Sequence, residues 1–235
     1  MVVTTSVVLV HSPLVGPFTW SLVADELRQD GVDVVLPSLV EDERARAPFW
    51  PQHADAVARS LAGTPVDRAL ILVGHSGAGP LLPAIRSMIT HPVAGYIFVD
   101  AGIPIDGASR LDLLALESTE SAEQFRRELT SGAEFPTWQE RDLFDIIPDP
   151  DRRRALLAEL HPRSLAFFEE PIPVFDGWPD APCGYLLFSA TYAVFAERAR
   201  RDGWACREMD AGHFHMLVDP KGVADAISEL VSESS

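Results

Sequence analysis

Short, unbroken runs of apolar residues alternate with segments of helical spacing along the first part of the chain. The runs are rich in Val, Leu and Ile and end at Gly, Pro or His, which is typical of strands covered on both faces of a sheet. Between them, apolar residues recur at intervals of three or four, as on the buried face of a helix. The pattern predicts strands at 7–10, 32–36, 68–73 and 93–99, and helices at 20–30, 53–61 and 80–88.

This alternation stops near residue 104 and resumes near residue 181. The intervening segment carries helical patterns at 111–116, 122–129 and 152–160 and no convincing strand. It also holds more aromatic residues than a solvated linker would tolerate: Phe125, Phe135, Trp138, Phe144, Phe167, Phe168, Phe175 and Trp178. Strand patterns at 185–188 and 205–209 and helical patterns at 193–201 and 223–231 complete the chain.

Together these patterns predict an α/β fold with a doubly wound, mostly parallel sheet. Residues 1–104 and 181–235 would form the core, and residues 105–180 would form a helical cap inserted into it. A single domain is expected, because 235 residues is a common size for one α/β domain.

Charge and cysteine content narrow the choice of partners and compartment. The formal net charge is −16, which would repel phosphate backbones and anionic lipids, so neither nucleic-acid nor membrane partners are expected. No apolar stretch reaches the length of a membrane-spanning helix, and the N-terminus lacks the basic start of an export signal. Cys183 and Cys206 are expected to be free thiols in a reducing cytoplasm. The sequence does not indicate an oligomeric state.

The segment Gly74-His75-Ser76-Gly77-Ala78 directly follows the third predicted strand. A serine at such a strand-to-helix turn is held in a strained backbone conformation and needs very small residues two positions to either side, as Gly74 and Ala78 are. The same turn directs the backbone N–H of Gly77 toward negative charge that forms beside the hydroxyl. Ser76 is therefore either an activated nucleophile or merely the polar residue of a turn.

The chain resembles the α/β-hydrolase family over nearly its full length, beginning with the family's third strand. Residues 74–78 look like the nucleophile elbow, with Ala78 in place of the usual final glycine. Residues 10–13, Val-His-Ser-Pro, look like the loop that normally reads His-Gly-x and supplies a second oxyanion donor. Residues 210–214, followed by 218–220, resemble the late Gly-His segment that supplies the base. The resemblance implies a serine hydrolase that requires no metal or organic cofactor.

His213 is the candidate base. A serine hydroxyl is a poor nucleophile at neutral pH and needs an imidazole within hydrogen-bond reach. Of the seven histidines, His213 alone follows both a strand and a glycine late in the chain, and His215 is the alternative ring. His213, His215 and Asp219 could also be metal ligands. Two histidines and one carboxylate on a loop are common by chance, however, so no metal is expected. His75 is expected to pack beneath the elbow and His11 to bond within its loop.

The acid of the triad is not where the resemblance places it in most relatives, since residues 189–193, after the strand at 185–188, contain no carboxylate. Glu197 is the next carboxylate, and it is predicted to lie too far into a helix to meet His213. Some members of the family carry the acid at the end of the preceding strand, where this chain has Asp100. Asp100 is the candidate acid, and capping of the following turn is the alternative role.

Pro13 stands where relatives carry the residue that gives its backbone N–H to the oxyanion, and proline has no N–H. Losing one such donor typically lowers turnover by about 10²- to 10³-fold. The Leu14 N–H, the Ser12 hydroxyl or a shifted loop would have to substitute, or the reaction forms less charge on a carbonyl oxygen. Alternatively, Pro13 only stiffens a loop whose register is offset by one residue.

Three functions follow from these candidates. The first is a serine hydrolase acting on a small or medium ester, thioester, lactone or amide, with Ser76 acylated, His213 as base and then acid, and Asp100 orienting the ring. The Gly77 N–H would serve the oxyanion, and cap aromatics would line an apolar pocket for a small-molecule substrate. The second is a lyase, cyclase or isomerase in which His213 is a general base without an acyl-enzyme. The third is a non-catalytic ligand-binding or receptor protein.

Overall fold

A parallel sheet of six strands forms the centre of the computed structural model, which describes residues 5–39 and 46–233. The strands are β1 (Thr5–Val10), β2 (Asp33–Val35), β3 (Ala69–His75), β4 (Val93–Val99), β5 (Cys183–Leu187) and β6 (Ala205–Glu208). Their order across the sheet is β2-β1-β3-β4-β5-β6, and every neighbouring pair is parallel. The predicted α/β fold with a parallel sheet is therefore confirmed.

Helices cover both faces of this sheet. The α-helices of the described residues are α1 (Phe18–Gln29), α2 (Trp50–Ser60), α3 (Leu82–Met88), α4 (Arg110–Glu117), α5 (Thr119–Thr130), α6 (Pro150–Ala158), α7 (Leu165–Phe168), α8 (Ala193–Arg201) and α9 (Pro220–Glu233). In β1, Val7 and Leu9 pack in one apolar cluster with α1 and α9, whereas Val8 and Val10 pack in another with α2, α3 and α8. Because both faces are buried, the strand is an unbroken apolar run.

One predicted helix begins later than its pattern suggested. A 3₁₀ turn spans Ser76–Leu81, and α3 follows it from Leu82. Pro83 lies in the first turn of α3, where its missing N–H removes no hydrogen bond. Pro80 lies inside the 3₁₀ turn, so the predicted start of the helix at residue 80 was two residues too early.

The segment between β4 and β5 contains α4, α5, α6 and α7, and the three helical patterns in it are confirmed. An isolated antiparallel bridge joins Phe135 to Arg163 within it. Helices α4, α5 and α7 share a small apolar cluster formed by Leu111, Leu129, Phe167 and Phe168, with Phe125 and Phe135 packed against it. Leu156 of α6 packs instead in the cluster that contains α1 and α9. In the part of the chain that is described, no helix has both the length and the apolar character needed to cross a membrane.

Candidate active site

Ser76 is the first residue after β3 and has a φ of +55°. Such a conformation costs a non-glycine residue about 1–3 kcal/mol, so the surrounding contacts must hold it in place. A Cβ on Gly74 would lie 3.2 Å from the backbone of both Ala78 and Gly79. The strained turn and the small neighbours that the sequence predicted are both present, and they bring the serine side chain to the carboxyl edge of the sheet.

The side chains of Ser76, His213 and Asp100 form one chain of hydrogen bonds. Ser76 Oγ lies 3.1 Å from His213 Nε2, and His213 Nδ1 lies 2.7 Å from Asp100 Oδ2. A carboxylate beside Nδ1 favours the tautomer with its proton there, which leaves Nε2 to accept the serine proton. His215, the alternative ring, instead lies edge-on to Phe188 with the ring centres 5.6 Å apart.

Strand register explains how an acid on β4 reaches this histidine. His75 pairs with Val99 across β3 and β4, so the residues that follow, Ser76 and Asp100, leave the sheet at the same level. Asp100 also has a positive φ, +43°, and among the described non-glycine residues it shares this property with Ser76. Adjacent strand ends therefore place the two side chains within reach of one ring.

The segment after β5 holds Asp100 in place. Asp100 Oδ1 accepts the N–H groups of Phe188 and Ser189, each at 2.9 Å, and Oδ2 accepts the Ser189 hydroxyl at 2.7 Å. Burial would raise the pKa of Asp100, but the hydrogen bonds from His213 and Ser189 outweigh it and keep that pKa below its ordinary value. Asp100 thus bonds the histidine together with N–H groups of the segment after β5, whereas the alternative role placed those N–H groups in the turn that follows Asp100.

Tyr185 on β5 secures the turn that follows Asp100. Its hydroxyl donates to the Ala101 carbonyl at 2.7 Å and accepts the Ala101 N–H at 3.2 Å. Both backbone groups are buried, where an unpaired polar atom would cost about 1–3 kcal/mol. The strained backbone at Asp100 is therefore held from the neighbouring strand.

Two further histidines support the site in neutral form. His75 lies buried beneath the elbow, as expected, and its Nε2–H donates to the His213 carbonyl at 3.0 Å. Burial and the nearby His213 ring lower the pKa of His75 well below its ordinary value. His11 donates to the Ser12 carbonyl at 2.9 Å and accepts the Leu39 N–H at 3.1 Å, and burial lowers its pKa to about 4.

The loop after β1 presents a hydroxyl where Pro13 lacks a backbone donor. The Leu14 N–H lies 3.4 Å from Ser12 Oγ, so that oxygen acts as the acceptor for Leu14. Ser12 Oγ also lies 3.1 Å from the position that a Cβ on Gly77 would occupy. The Ser12 hydroxyl and the Gly77 backbone are therefore neighbours, and the hydroxyl hydrogen is not used in the bond with Leu14.

The inserted segment fixes the register of this loop. The His161 N–H donates to the Leu14 carbonyl at 3.0 Å, and the Arg163 guanidinium donates to the Pro13 carbonyl at 3.4 Å. Glu159 accepts the Phe18 N–H at 2.8 Å, at the start of α1, where a carboxylate also suits the helix dipole. Contacts from the insertion therefore hold the loop that lies beside Ser76.

A cavity of about 660 Å³ opens onto Ser76 and His213. Its walls come from both the sheet edge and the insertion and are mostly apolar, with Leu113, Leu114, Phe125, Phe135, Trp138, Ile146, Phe168, Phe195 and Phe214 among them. Arg110 and Glu117 also line it, and Arg110 is paired with Glu170 at 2.8 Å. Burial, with a smaller effect of Asp100, raises the pKa of Glu117 to about 7.

Glu117 makes the stability of the protein depend on pH. Because folding raises its pKa from 4.5 to about 7, the folded protein keeps a proton there that the unfolded chain loses across this interval. The free energy of unfolding therefore falls as the pH rises through the same interval. We expect Glu117→Gln to be more stable than the unsubstituted protein by about 1–2 kcal/mol at pH 8 and to lose most of that advantage at pH 5.

Urea unfolding at the two pH values measures this difference. Glu134→Gln provides a matched control, because Glu134 is exposed and lies outside the cavity lining, and the substitution makes the same chemical change. A stability difference for Glu117→Gln that is equal at pH 5 and pH 8 would contradict the prediction.

The residues suggested as metal ligands do not converge. The Asp219 carboxylate accepts the Gly222 N–H at 3.0 Å within its own loop. Within residues 5–39 and 46–233, no group of three or more His, Cys, Asp or Glu side chains is arranged to hold a metal ion. Cys183 and Cys206 are both free thiols.

Sequence reasoning passed over one residue of the site. The Tyr192 hydroxyl lies 3.1 Å from Ser76 Oγ, and its ring is stacked on His213 with an interplanar angle of 6°. The available signal was its position, since Tyr192 stands in the segment after β5 where most relatives were expected to carry the acid.

Similarity to known proteins also indicates a hydrolase. The model of the alpha/beta hydrolase family matches residues 7–226. A carbendazim hydrolyzing esterase from Nocardioides sp. (strain SG-4G) is 25% identical over 252 residues, which cover 95% of this chain and 98% of that protein.

Two solved structures illustrate the similarity of fold. An extracellular alpha/beta-hydrolase from a Paenibacillus species superposes with a TM-score of 0.77 and 19% identity, over 98% of this chain and 99% of that one. Tomato methylketone synthase I, complexed with 2-tridecanone, superposes with a TM-score of 0.74 and 13% identity, over 99% and 100% of the two chains. At these identities the likeness concerns the fold alone.

Proposed function

The chain belongs to the alpha/beta hydrolase family, and from this premise we propose that it is a serine hydrolase that cleaves its substrate through an acyl-enzyme at Ser76. The substrate class is a small or medium carboxylic ester, or a related thioester, lactone or amide. The single observation that carries the proposal is the hydrogen-bonded chain from Ser76 through His213 to Asp100. The similarity to an esterase over nearly the whole chain supports the choice of ester chemistry.

Acylation begins when His213 Nε2 accepts the proton of the Ser76 hydroxyl as Oγ attacks the carbonyl carbon. Asp100 keeps the second ring nitrogen protonated and stabilises the imidazolium that forms. As the carbonyl re-forms, the bond to the leaving group breaks, and His213 gives its proton to the departing atom. A water molecule then attacks the acyl-enzyme with His213 as base, and the proton finally returns to Ser76 Oγ.

Negative charge on the carbonyl oxygen needs two donors, and Pro13 supplies none. In this proposal the Gly77 N–H is the first donor and the Ser12 hydroxyl is the second. The position of Ser12 Oγ against Gly77 supports this assignment, as does its acceptance of the Leu14 N–H, which directs the hydroxyl hydrogen away from that residue. A hydroxyl can replace a backbone donor at the oxyanion, since both donate one hydrogen bond.

The apolar cavity would receive the acyl or leaving group of a small molecule. Residues 105–180 act as the cap in this proposal, because α4, α5 and the following aromatic residues provide a wall of the cavity. Few charged groups line it, so a largely neutral substrate is favoured. No cofactor takes part in any step.

A fluorophosphonate probe tests the proposal directly, because it phosphonylates a serine only when a base activates it. We expect labelling of folded protein at one peptide, the one that contains Ser76, as read by mass spectrometry after digestion. Heat-unfolded protein and His213→Ala should remain unlabelled, which shows that the reaction needs the assembled site. Absence of labelling in the folded protein would count against the proposal.

One observation favours a second candidate, a lyase, cyclase or isomerase in which His213 acts as a general base. Pro13 removes a backbone donor from the site, and a reaction with little charge on a carbonyl oxygen would tolerate that loss. In that case Ser76→Ala would keep most of the activity, whereas His213→Ala would abolish it.

A further inference from the structure

Tyr192 contacts both reacting groups of the proposed mechanism, although the steps described above do not use it. Its hydroxyl lies 3.1 Å from Ser76 Oγ. Its ring lies parallel to the His213 ring, at an interplanar angle of 6° with the ring centres 5.1 Å apart. Tyr192 belongs to a short 3₁₀ turn, Ala190–Tyr192. The turn begins directly after Ser189, whose hydroxyl donates a hydrogen bond to Asp100. The side chain is thus held on the same side of Ser76 as the base.

The direction of the tyrosine hydrogen bond follows from the tautomer of His213. The Ser76 hydroxyl has a single hydrogen, and His213 Nε2 accepts it, because Asp100 keeps the ring proton on Nδ1. Tyr192 must therefore be the donor, and Ser76 Oγ accepts through a lone pair. Burial raises the pKa of Tyr192 well above its ordinary value, so the phenol remains a donor throughout the neutral range.

The position of the leaving group follows from the proton that it receives. His213 Nε2 takes the proton from Ser76 and gives it to the departing oxygen, so that oxygen must come close to Nε2. The Tyr192 ring is stacked on the same His213 ring and its hydroxyl reaches Ser76 Oγ, which brings the hydroxyl close to this point. The oxyanion, in contrast, is assigned to Gly77 and Ser12, which are neighbours: a Cβ on Gly77 would lie 3.1 Å from Ser12 Oγ. Tyr192 is therefore suited to the leaving group.

We propose that Tyr192 is a catalytic hydrogen-bond donor whose hydroxyl shifts from Ser76 Oγ to the leaving-group oxygen during acylation, which suits the enzyme to esters with poor leaving groups. This inference rests on the proposed serine hydrolase function. As the carbon–oxygen bond breaks, its electron pair passes to the leaving oxygen, and the His213 imidazolium supplies the proton. Tyr192 keeps its own proton and contributes only the hydrogen bond.

The test compares Tyr192→Phe with the unsubstituted enzyme on 4-nitrophenyl, phenyl and ethyl butyrate. Phenylalanine retains the ring that stacks on His213 and removes the hydroxyl alone. The quantity compared is kcat/KM, which reports acylation even where deacylation limits kcat. We expect a loss within about 3-fold for the 4-nitrophenyl ester, whose leaving oxygen needs little help, and a loss of about 10- to 100-fold for the ethyl ester.

Tyr96→Phe is the matched control, because its hydroxyl bonds Asp180 at 2.5 Å, outside the cavity lining. The loss of kcat/KM in Tyr96→Phe, relative to the unsubstituted enzyme, should be the same for all three esters. The readout is a ratio between substrates within one variant, so a smaller folded fraction cannot produce it. A loss that is equal for all three esters would overturn the inference and reduce Tyr192 to a residue that positions His213.

Fluorophosphonate labelling separates this inference from the proposed function. In one outcome the unsubstituted protein is labelled at Ser76 and cleaves the esters, but the loss of kcat/KM in Tyr192→Phe is equal for all of them. The inference then fails and the hydrolase assignment stands. If the unsubstituted protein is neither labelled nor active on any ester, both fail. Labelling together with a loss that grows from the 4-nitrophenyl to the ethyl ester supports both.

Discussion

Replacing Ser76 by alanine is expected to lower kcat/KM for ester hydrolysis by about 10⁴-fold or more, with little effect on folding. The reason is that no acyl-enzyme forms without Oγ, while His213 and Asp100 remain bonded to each other. The residual rate would come from the oxyanion donors and substrate binding alone. Steady-state hydrolysis of 4-nitrophenyl butyrate measures the loss, and thermal unfolding verifies that the variant is folded.

His213→Ala and the double variant complete this experiment. Because the serine and its base act as one unit, the double variant should be no slower than either single variant. The opposite pattern, in which Ser76→Ala keeps most of its activity on the physiological substrate and His213→Ala has none, would establish a non-hydrolytic reaction instead. The comparison therefore decides between the two candidate functions.

Asp100→Asn is expected to lower kcat/KM by about 10³- to 10⁴-fold. Oδ1 of Asp100 accepts two backbone N–H groups, so an asparagine would leave its oxygen there and turn its amide NH₂ toward His213. The amide would then donate to Nδ1 and favour the tautomer with its proton on Nε2. That nitrogen could no longer accept the proton of Ser76, although the geometry of the site would be preserved.

Glu197→Gln is the control for this prediction. Glu197 is the first carboxylate after β5, it is exposed on α8, and its removal should leave kcat/KM unchanged. Fluorophosphonate labelling rates provide a second measurement and should fall in Asp100→Asn only. If Asp100→Asn were fully active, or if Glu197→Gln lost activity to a similar extent, Asp100 would not be the acid.

The segment after β5 contains no carboxylate in residues 189–193, where most relatives were expected to carry the acid. It offers a hydroxyl, Ser189 Oγ, that bonds Asp100, and a phenol, Tyr192, that bonds Ser76. In the proposed mechanism the acid is Asp100, which directly follows the adjacent strand β4. An acid at the end of β4 lies close to the position of an acid after β5, because β4 and β5 are neighbours in the sheet.

Much of the fold could be predicted because its signals are local. The unbroken apolar runs identify strands buried on two faces, and the helical spacing identifies what covers them. The Ser76 turn was also predictable, since its strained backbone requires small neighbours that lie within a few residues. The boundary at Pro80 was less predictable, because the elbow extends as a 3₁₀ turn before α3 begins.

The amino-acid sequence by itself therefore determined the parallel α/β architecture, the elbow at Ser76 and the two candidates Asp100 and His213. Tertiary structure alone decided that these residues meet, since Asp100 and His213 are 113 positions apart and their contact depends on strand order and register. It also decided the place of Tyr192, 116 positions beyond Ser76. Local periodicity carries no information about such contacts, because they form only when separate strand ends assemble at one edge of the sheet.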